Sequence, residues 1–390
     1  MKAQTTFNKT LFITVFMILI LFSGLTATKV LSSGLSVNNV SKTETKARKI
    51  KIALLLDTSN SMDGLIDQAK SQLWTIVNEL AGAKCEGGKP EIQIALYEYG
   101  NDHLPASEGY IRLVTPLTND LDKISADLFS LKTYGGSEFC GHAIQTATNQ
   151  LDWSTDGMDL QVIFIAGNEP FTQGSVNYRT AVAAAREKNI IVNTIFCGNY
   201  EAGISTNWKD GADLGGGSYM SIEQNRKTVF IPSPYDDRIL ELNKQLNNTY
   251  LEYGSLGKQK KEAQITQDMN AEKYGKANSV NRTVSKSTHV YKSSSWDLVD
   301  AIEEKEVDIT KIPKEDLPQQ MQSMTNEQKQ KYVMEKKAER DKIKNEITEL
   351  SKKREEYIAE QKKNSSDENM LDNAMLNSIK KQAASKNFTF

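Results

Sequence analysis

The sequence predicts an α/β fold: a doubly wound, mostly parallel six-stranded sheet with a helical carboxyl-terminal region. Three observations predict it. Strand-like and helix-like patterns alternate from residue 51 to 222, as they do where crossover helices join parallel strands. Two of the strand-like runs are almost continuously apolar, which suits strands covered on both faces. Residues 326–363 then contain neither Pro nor Gly and are dense in Lys, Glu, Gln and Arg, the composition of a long helix of roughly 55 Å at about 1.5 Å per residue.

Ile52-Ala53-Leu54-Leu55-Leu56 is the first buried run. Leu65, Ile66, Ala69, Leu73, Ile76, Val77 and Leu80 follow at helical spacing. Polar and apolar residues alternate from Glu91 to Tyr99, giving a second strand, and Tyr110-Ile111-Arg112-Leu113-Val114 gives a short third one. Leu121, Ile124, Leu128 and Leu131 mark one helix, and Ala143, Ile144, Ala147 and Leu151 another. The run Leu160-Gln161-Val162-Ile163-Phe164-Ile165-Ala166 is the second buried strand. The alanine-rich stretch 178–187 is helical, 190–196 is a fifth strand, and Ser218-Tyr219-Met220-Ser221-Ile222 a sixth, after Gly215-Gly216-Gly217.

This first domain is set at 49–230. Residues 231–295 read as a polar linker region, with few apolar anchors from 254 onward. Residues 296–390 read as a helical region in which Pro313 and Pro318 bracket a turn. The long helix carries a seam of Val333, Lys336, Arg340, Ile343, Ile347, Leu350, Arg354 and Tyr357 at alternating spacings of 3 and 4. Only its middle is apolar, short of the three or four heptads a sustained coiled coil needs. Two uses stay open: self-association through this helix, or packing back on its own domain. A second helix is expected at 368–385.

Asp57-Thr58-Ser59-Asn60-Ser61 lies where the first strand meets the first helix. Ligands of open α/β sheets bind outside the carboxyl ends of the strands. A carboxylate and two hydroxyls at alternate positions can turn toward one hard cation; the competing reading is a cluster of turn and cap residues. The D-x-S-x-S pattern resembles the metal-ion-dependent adhesion site (MIDAS) of von Willebrand factor type A (VWA) domains, a doubly wound fold related in layout to the Rossmann type. The order of elements resembles that family over roughly residues 49–230.

The resemblance implies two further ligands, a Thr before a middle helix and an Asp ending the fourth strand. The chain departs from both, so the motif is degenerate. Anchoring on Gly135-Gly136 places Ser137 in the Thr position, the preferred register; anchoring on Gly141-x-Ala143-Ile144 places Glu138 there. The fourth strand ends Ala166-Gly167-Asn168-Glu169-Pro170, with Gly167 at the Asp position. Asn168 or Glu169 could still supply an oxygen, or the segment is simply a turn. The expected metal ligands are therefore Asp57, Ser59, Ser61, Ser137 and Asn168, for Mg²⁺ by default or Ca²⁺.

Lys and Arg total 48 against 50 Asp and Glu, which gives no electrostatic case for nucleic acid. The three Cys and three His show no paired spacing for zinc. If a disulfide forms, Cys140 with Cys197 is favoured, both near the carboxyl edge of the sheet; the alternative is three small buried side chains. His142 could stand beside the metal loop or simply pack. No nucleophile with a base, P-loop or H-E-x-x-H is present, so the chain is not read as an enzyme.

Lys2 and Lys9 precede the apolar run 11–22, followed by small residues around Ala27. Residues 1–28 are read as a signal peptide, or as an uncleaved amino-terminal anchor. Either places the rest outside the cytoplasm: in the periplasm or cell envelope, secreted or membrane-anchored. The resemblance implies a protein-interaction module that takes an acidic side chain of a protein partner on its cation. The alternative is a structural or assembly scaffold of the envelope that works through its carboxyl-terminal helices without metal.

Overall fold

The computed structural model describes residues 48–226, 231–362 and 371–390; the targeting segment read at 1–28 lies outside them. β1 (Lys49–Asp57) leads into α1 (Asp63–Ala81), β2 (Glu91–Tyr99), β3 (Ile111–Thr118), α2 (Leu121–Ser130), α3 (Cys140–Gln150), β4 (Leu160–Gly167), α4 (Tyr178–Glu187) and β5 (Ile191–Cys197). Two short helices, α5 (Tyr200–Ser205) and α6 (Trp208–Leu214), precede β6 (Gly216–Ile222). The strand order is β3-β2-β1-β4-β5-β6. All neighbours pair parallel except β2 with β3. No crossover helix separates β2 from β3, so β3 returns antiparallel at the edge. It runs past the predicted Val114 through Pro116, which an edge strand tolerates.

Two apolar layers enclose the sheet. One joins alternate residues of β1, β2 and β4 to α1 and α2; the other joins the opposite residues to α3, α4 and Trp208 of α6. β1 is central, paired on both edges, which explains its unbroken apolar run. Cys197 belongs to the first layer and Cys140 to the second. Opposite faces of the sheet cannot be bridged, and all three cysteines are free, so the Cys140–Cys197 pairing is not made.

The expected linker is instead folded. α7 (Asp236–Asn247), α8 (Gly257–Lys273) and α9 (Lys276–Ser287) fill it, and the described residues all fall in one packed unit. α9 lies on α1: Asn281 Nδ2 donates to Thr75 Oγ1 at 2.9 Å, and Asn78 Nδ2 to the Asn281 carbonyl at 2.9 Å. Few apolar side chains are needed because charged ones are buried in pairs. Arg282 meets Asp122 at 2.8 Å and Asp268 at 2.6 Å and stacks over Trp74 at 4.6 Å; Lys286 meets Asp268 at 2.9 Å. These two cations hold the Asp268 carboxyl far below its usual range.

After α10 (Leu298–Glu303) comes α11 (Asn326–Lys362). Val333, Arg340, Ile343, Ile347 and Arg354 of the predicted seam are all buried, against α7, α9 and α10. These five seam positions are thus occupied within the chain, while Lys336, Leu350 and Tyr357 are half-buried. The final helix, α12 (Leu371–Ala384), packs on α1, β4 and β6. Gln68 and Gln72 of α1 accept from the backbone N–H groups of Leu371 (3.3 Å) and Asp372 (2.9 Å). Beyond it, Thr389 pairs with Lys84. Ile379 is fully buried in the sheet-facing layer, so Ile379→Ala is expected to cost about 2–5 kcal/mol. Urea unfolding reads this as a lower midpoint at unchanged slope.

Among the described residues no helix is long and apolar enough to cross a membrane.

Candidate metal centre

β1 delivers Asp57 to the carboxyl edge of the sheet, opposite Tyr99 of β2. The chain then turns: the Thr58 N–H donates to the Tyr99 carbonyl at 2.8 Å, Ser59 is extended, and a short turn at Asn60–Met62 opens α1. That turn sets the three oxygens side by side. The Ser59 N–H donates to Asp57 Oδ1 at 2.7 Å, and the Ser59 and Ser61 hydroxyls lie 3.2 Å apart. Asn168, in the loop after β4, donates through Nδ2 to Ser61 Oγ at 3.2 Å.

Asp57 is wholly buried, yet its Oδ2 has no hydrogen-bond partner. Burial raises its carboxyl pKa to about 8, against the pull of the Ser59 hydrogen bonds and with help from the charges of Glu138 and Glu169. A buried carboxylate with an unused oxygen is costly unless something else supplies the partner.

Of the expected ligands, Asp57, Ser59, Ser61 and Asn168 come together. Beside Ser137, the side chain of its neighbour Glu138 also lies near Asp57, at Gly100. Glu138 is buried, its side chain lying with the Asp57 carboxylate against Gly100. Burial and the charge of Glu169 push its pKa up. The reason for the register lies at Gly100, which has positive φ; a Cβ there would sit 2.7 Å from Asp57 Oδ1 and 2.9 Å from Glu138 Cγ. Gly136 packs its backbone directly on that of Gly100, where a Cβ would fall 2.1 Å from the Gly100 carbonyl oxygen. This contact, with the Asp102 N–H donating to the Gly135 carbonyl at 2.6 Å, fixes the loop so that the following carboxylate reaches the site.

Gly167 lacks a carboxylate for a steric reason. A Cβ at this position would meet the Tyr99 hydroxyl at 2.5 Å and Asp57 Oδ2 at 3.0 Å. Tyr99, reaching across from β2 and donating to the Ala166 carbonyl at 3.0 Å, fills the space an Asp would need. Glu169 stands near enough to act on both Asp57 and Glu138, its side chain held by Gln173 Nε2 at 3.3 Å. Sequence reading missed Tyr99 altogether, since nothing local says that an apolar-face tyrosine will cross to the next strands. His142 lies against Gly109 and His103 stacks on Tyr134 with ring centres 3.8 Å apart.

Among the described residues no group of three or more His, Cys, Asp or Glu is arranged to hold a metal. The candidate set relies on hydroxyls. Asp57, Ser59, Ser61, Glu138 and Asn168 offer only hard oxygen donors, and the orphaned Oδ2 is the partner such a cation would take, so the residues fit Mg²⁺ or Ca²⁺.

Fold and sequence define the class: residues 51–203 match the model of the von Willebrand factor type A domain and form such a domain. Solved structures with this fold include BatB from Bacteroides thetaiotaomicron, at 17% identity over 44% of this chain and 90% of that one, with a TM-score of 0.34. The SpRpn10 VWA domain is 19% identical over 44% of this chain and 87% of that one, TM-score 0.34. Proximal thread matrix protein 1 of the mussel byssus, solved with a zinc-occupied MIDAS motif, is 10% identical over 45% of this chain and 42% of that one, TM-score 0.32. No curated protein matches the chain.

Proposed function

We propose that the chain is an exported protein-interaction module whose VWA domain binds a protein partner through a divalent cation, Mg²⁺ or Ca²⁺, at the carboxyl edge of its sheet. VWA domains mediate protein–protein interactions and commonly bind divalent metals at this position. One observation carries the metal-dependent reading: the unpartnered, fully buried Oδ2 of Asp57 beside the Ser59–Ser61 hydroxyl pair. The cation would be held by Asp57, Ser59, Ser61 and Glu138, with Asn168 at the margin, and would offer a position to an oxygen of the partner. Export is supported by the apolar run behind two lysines at the amino terminus. The scaffold alternative has less support, because α11 spends its seam inside the chain.

The test is capture of a partner from an envelope fraction by the purified chain in Mg²⁺. Capture is expected to disappear with a chelator and with Ser59→Ala/Ser61→Ala, while both proteins keep the same circular dichroism spectrum. Capture that ignores both changes contradicts the proposal.

A further inference from the structure

The chain as a whole is nearly neutral, with 50 Asp and Glu against 48 Lys and Arg, but its charge is unevenly placed. Strands β1, β2, β4, β5 and β6 run parallel, so the segments that follow them meet at one edge, together with the loop between α2 and α3. These segments are 57–66, 99–110, 131–143, 167–181, 197–203 and 222–226, and they hold eight acidic side chains against three basic ones. Elsewhere in the chain bases outnumber acids. One of the three bases, Arg179, is engaged by Asp210 at 3.0 Å.

The acids crowd the candidate metal centre. Glu138 and Glu169 are the charged groups acting most on Asp57. The Thr133 hydroxyl donates to the Asp63 carboxylate at the start of α1. Asp102 Oδ2 and Asn60 Nδ2 converge on Gly135, where a Cβ would lie 3.4 Å and 3.6 Å from them. Gln224 Nε2 donates to the Ser61 carbonyl at 2.9 Å, which keeps its exposed neighbour Glu223 beside the metal loop. Within this ring the fully buried Asp57 Oδ2 has no hydrogen-bond partner, and that orphaned atom marks where a ligand belongs. A divalent ion there offsets two charges and leaves the face acidic. A donor reaching the ion must cross that face, and a surface of opposite sign is drawn to it.

We propose that the partner presents its acidic donor from a positively charged surface, with flanking Lys and Arg side chains that face Asp63, Asp102, Glu169 and Glu223 around the cation. This rests on the metal reading above and specifies the partner's chemistry. The donor touches the ion and the flanking cations pair with the rim. Exposed pairs contribute little each, so the rim acts through their number: it steers the approach of a basic surface and disfavours a uniformly acidic one. The near balance of charge in the sequence conceals this, because the acids that matter come from six separate segments.

The probes are fluorescent peptides built on glycine, each with one central aspartate and with either lysines, serines or glutamates on both sides of it. Anisotropy follows their binding to the full chain in Mg²⁺ at about 0.02 M and about 0.5 M salt, where charges are screened over roughly 20 Å and 4 Å. At low salt the lysine peptide is expected to bind about tenfold more tightly than the serine peptide, as several exposed pairs together would give, and the glutamate peptide more weakly than either. At high salt the three are expected to converge. Asp102→Lys/Glu223→Lys, at two positions outside the ligand set, is expected to remove most of the lysine peptide's advantage and to leave the serine peptide nearly unchanged. Equal binding by the three peptides, a ranking that salt does not compress, a lysine advantage untouched by the variant, or no binding of the lysine peptide overturns the proposal. Should the variant fail to fold by circular dichroism, the ranking on the parent and its salt dependence decide alone. Binding of the lysine peptide that a chelator leaves unchanged contradicts the metal reading instead, while the ranking still decides whether the partner is basic.

Discussion

Arg340→Ala is expected to lower the unfolding free energy by about 3–5 kcal/mol, the range for breaking a buried ion pair from one side. Arg340 is 2% exposed and Asp297 fully buried. The guanidinium reaches Asp297 Oδ2 at 2.6 Å and Oδ1 at 3.0 Å, Asp300, and the Thr249 carbonyl at 2.7 Å, with the Tyr250 ring 4.3 Å away. Removing it leaves two buried carboxylates with only Lys344 as a nearby cation, and frees the middle of α11 from its groove. Most of that cost comes from the stranded charge. Arg340→Ala/Asp297→Ala is therefore expected to cost clearly less than the sum of the single changes. Urea unfolding of the four proteins measures both quantities. A single-mutant cost below about 1 kcal/mol, the level of an exposed pair, would mean that α11 is not held as described.

Asp57→Asn is expected to move stability and cation response in opposite directions. Its carboxyl pKa stands near 3.8 in an unfolded chain and at about 8 when buried. Between those values the folded, metal-free chain holds a proton that the unfolded chain has released. Stability from this group is thus full below the unfolded value and is lost as pH rises through the folded one. Asparagine removes that slope, keeps an oxygen for the Ser59 N–H, and should raise metal-free stability at pH 8 by about 1–3 kcal/mol, the penalty of an unsatisfied buried group. Mg²⁺ should stabilise the parent, more at pH 8 than at pH 5 because the ion displaces the proton, and should leave the variant unchanged. Thermal melts at the two pH values, with chelator and with Mg²⁺, separate these effects. A variant less stable than the parent in chelator would remove the case for a carboxylate kept for a ligand at a cost in stability.

The sheet was readable in the sequence because its central strands are covered on both faces and so carry unbroken apolar runs such as Ile52–Leu56. The position of Asp57, Ser59 and Ser61 followed from those runs. Other features depend on contacts far apart in the chain. α8 has almost no apolar stripe, because Arg282, Lys286 and Asp268 take the place of a hydrophobic face; a helix held by buried ion pairs looks like a linker. The choice between Ser137 and Glu138 is a shift of one residue, and it turns on how Gly136 meets the Gly100 backbone, a contact between distant loops. The missing fourth-strand carboxylate is explained only by the Tyr99 hydroxyl beside Gly167. The seam of α11 was visible as a pattern, but a pattern of apolar and arginine positions does not say whether its partner is another chain or α7, α9 and α10.

Diffraction from a crystal of the full chain soaked in Mn²⁺, recorded at a wavelength where manganese scatters anomalously, tests the metal reading most directly. The expected result is a single strong peak bounded by Asp57 Oδ2, the Ser59 and Ser61 hydroxyls and Glu138, at about 2.0–2.6 Å from its oxygen ligands. A map with no peak there, and with Asp57 Oδ2 bonded to the chain's own atoms, would contradict it.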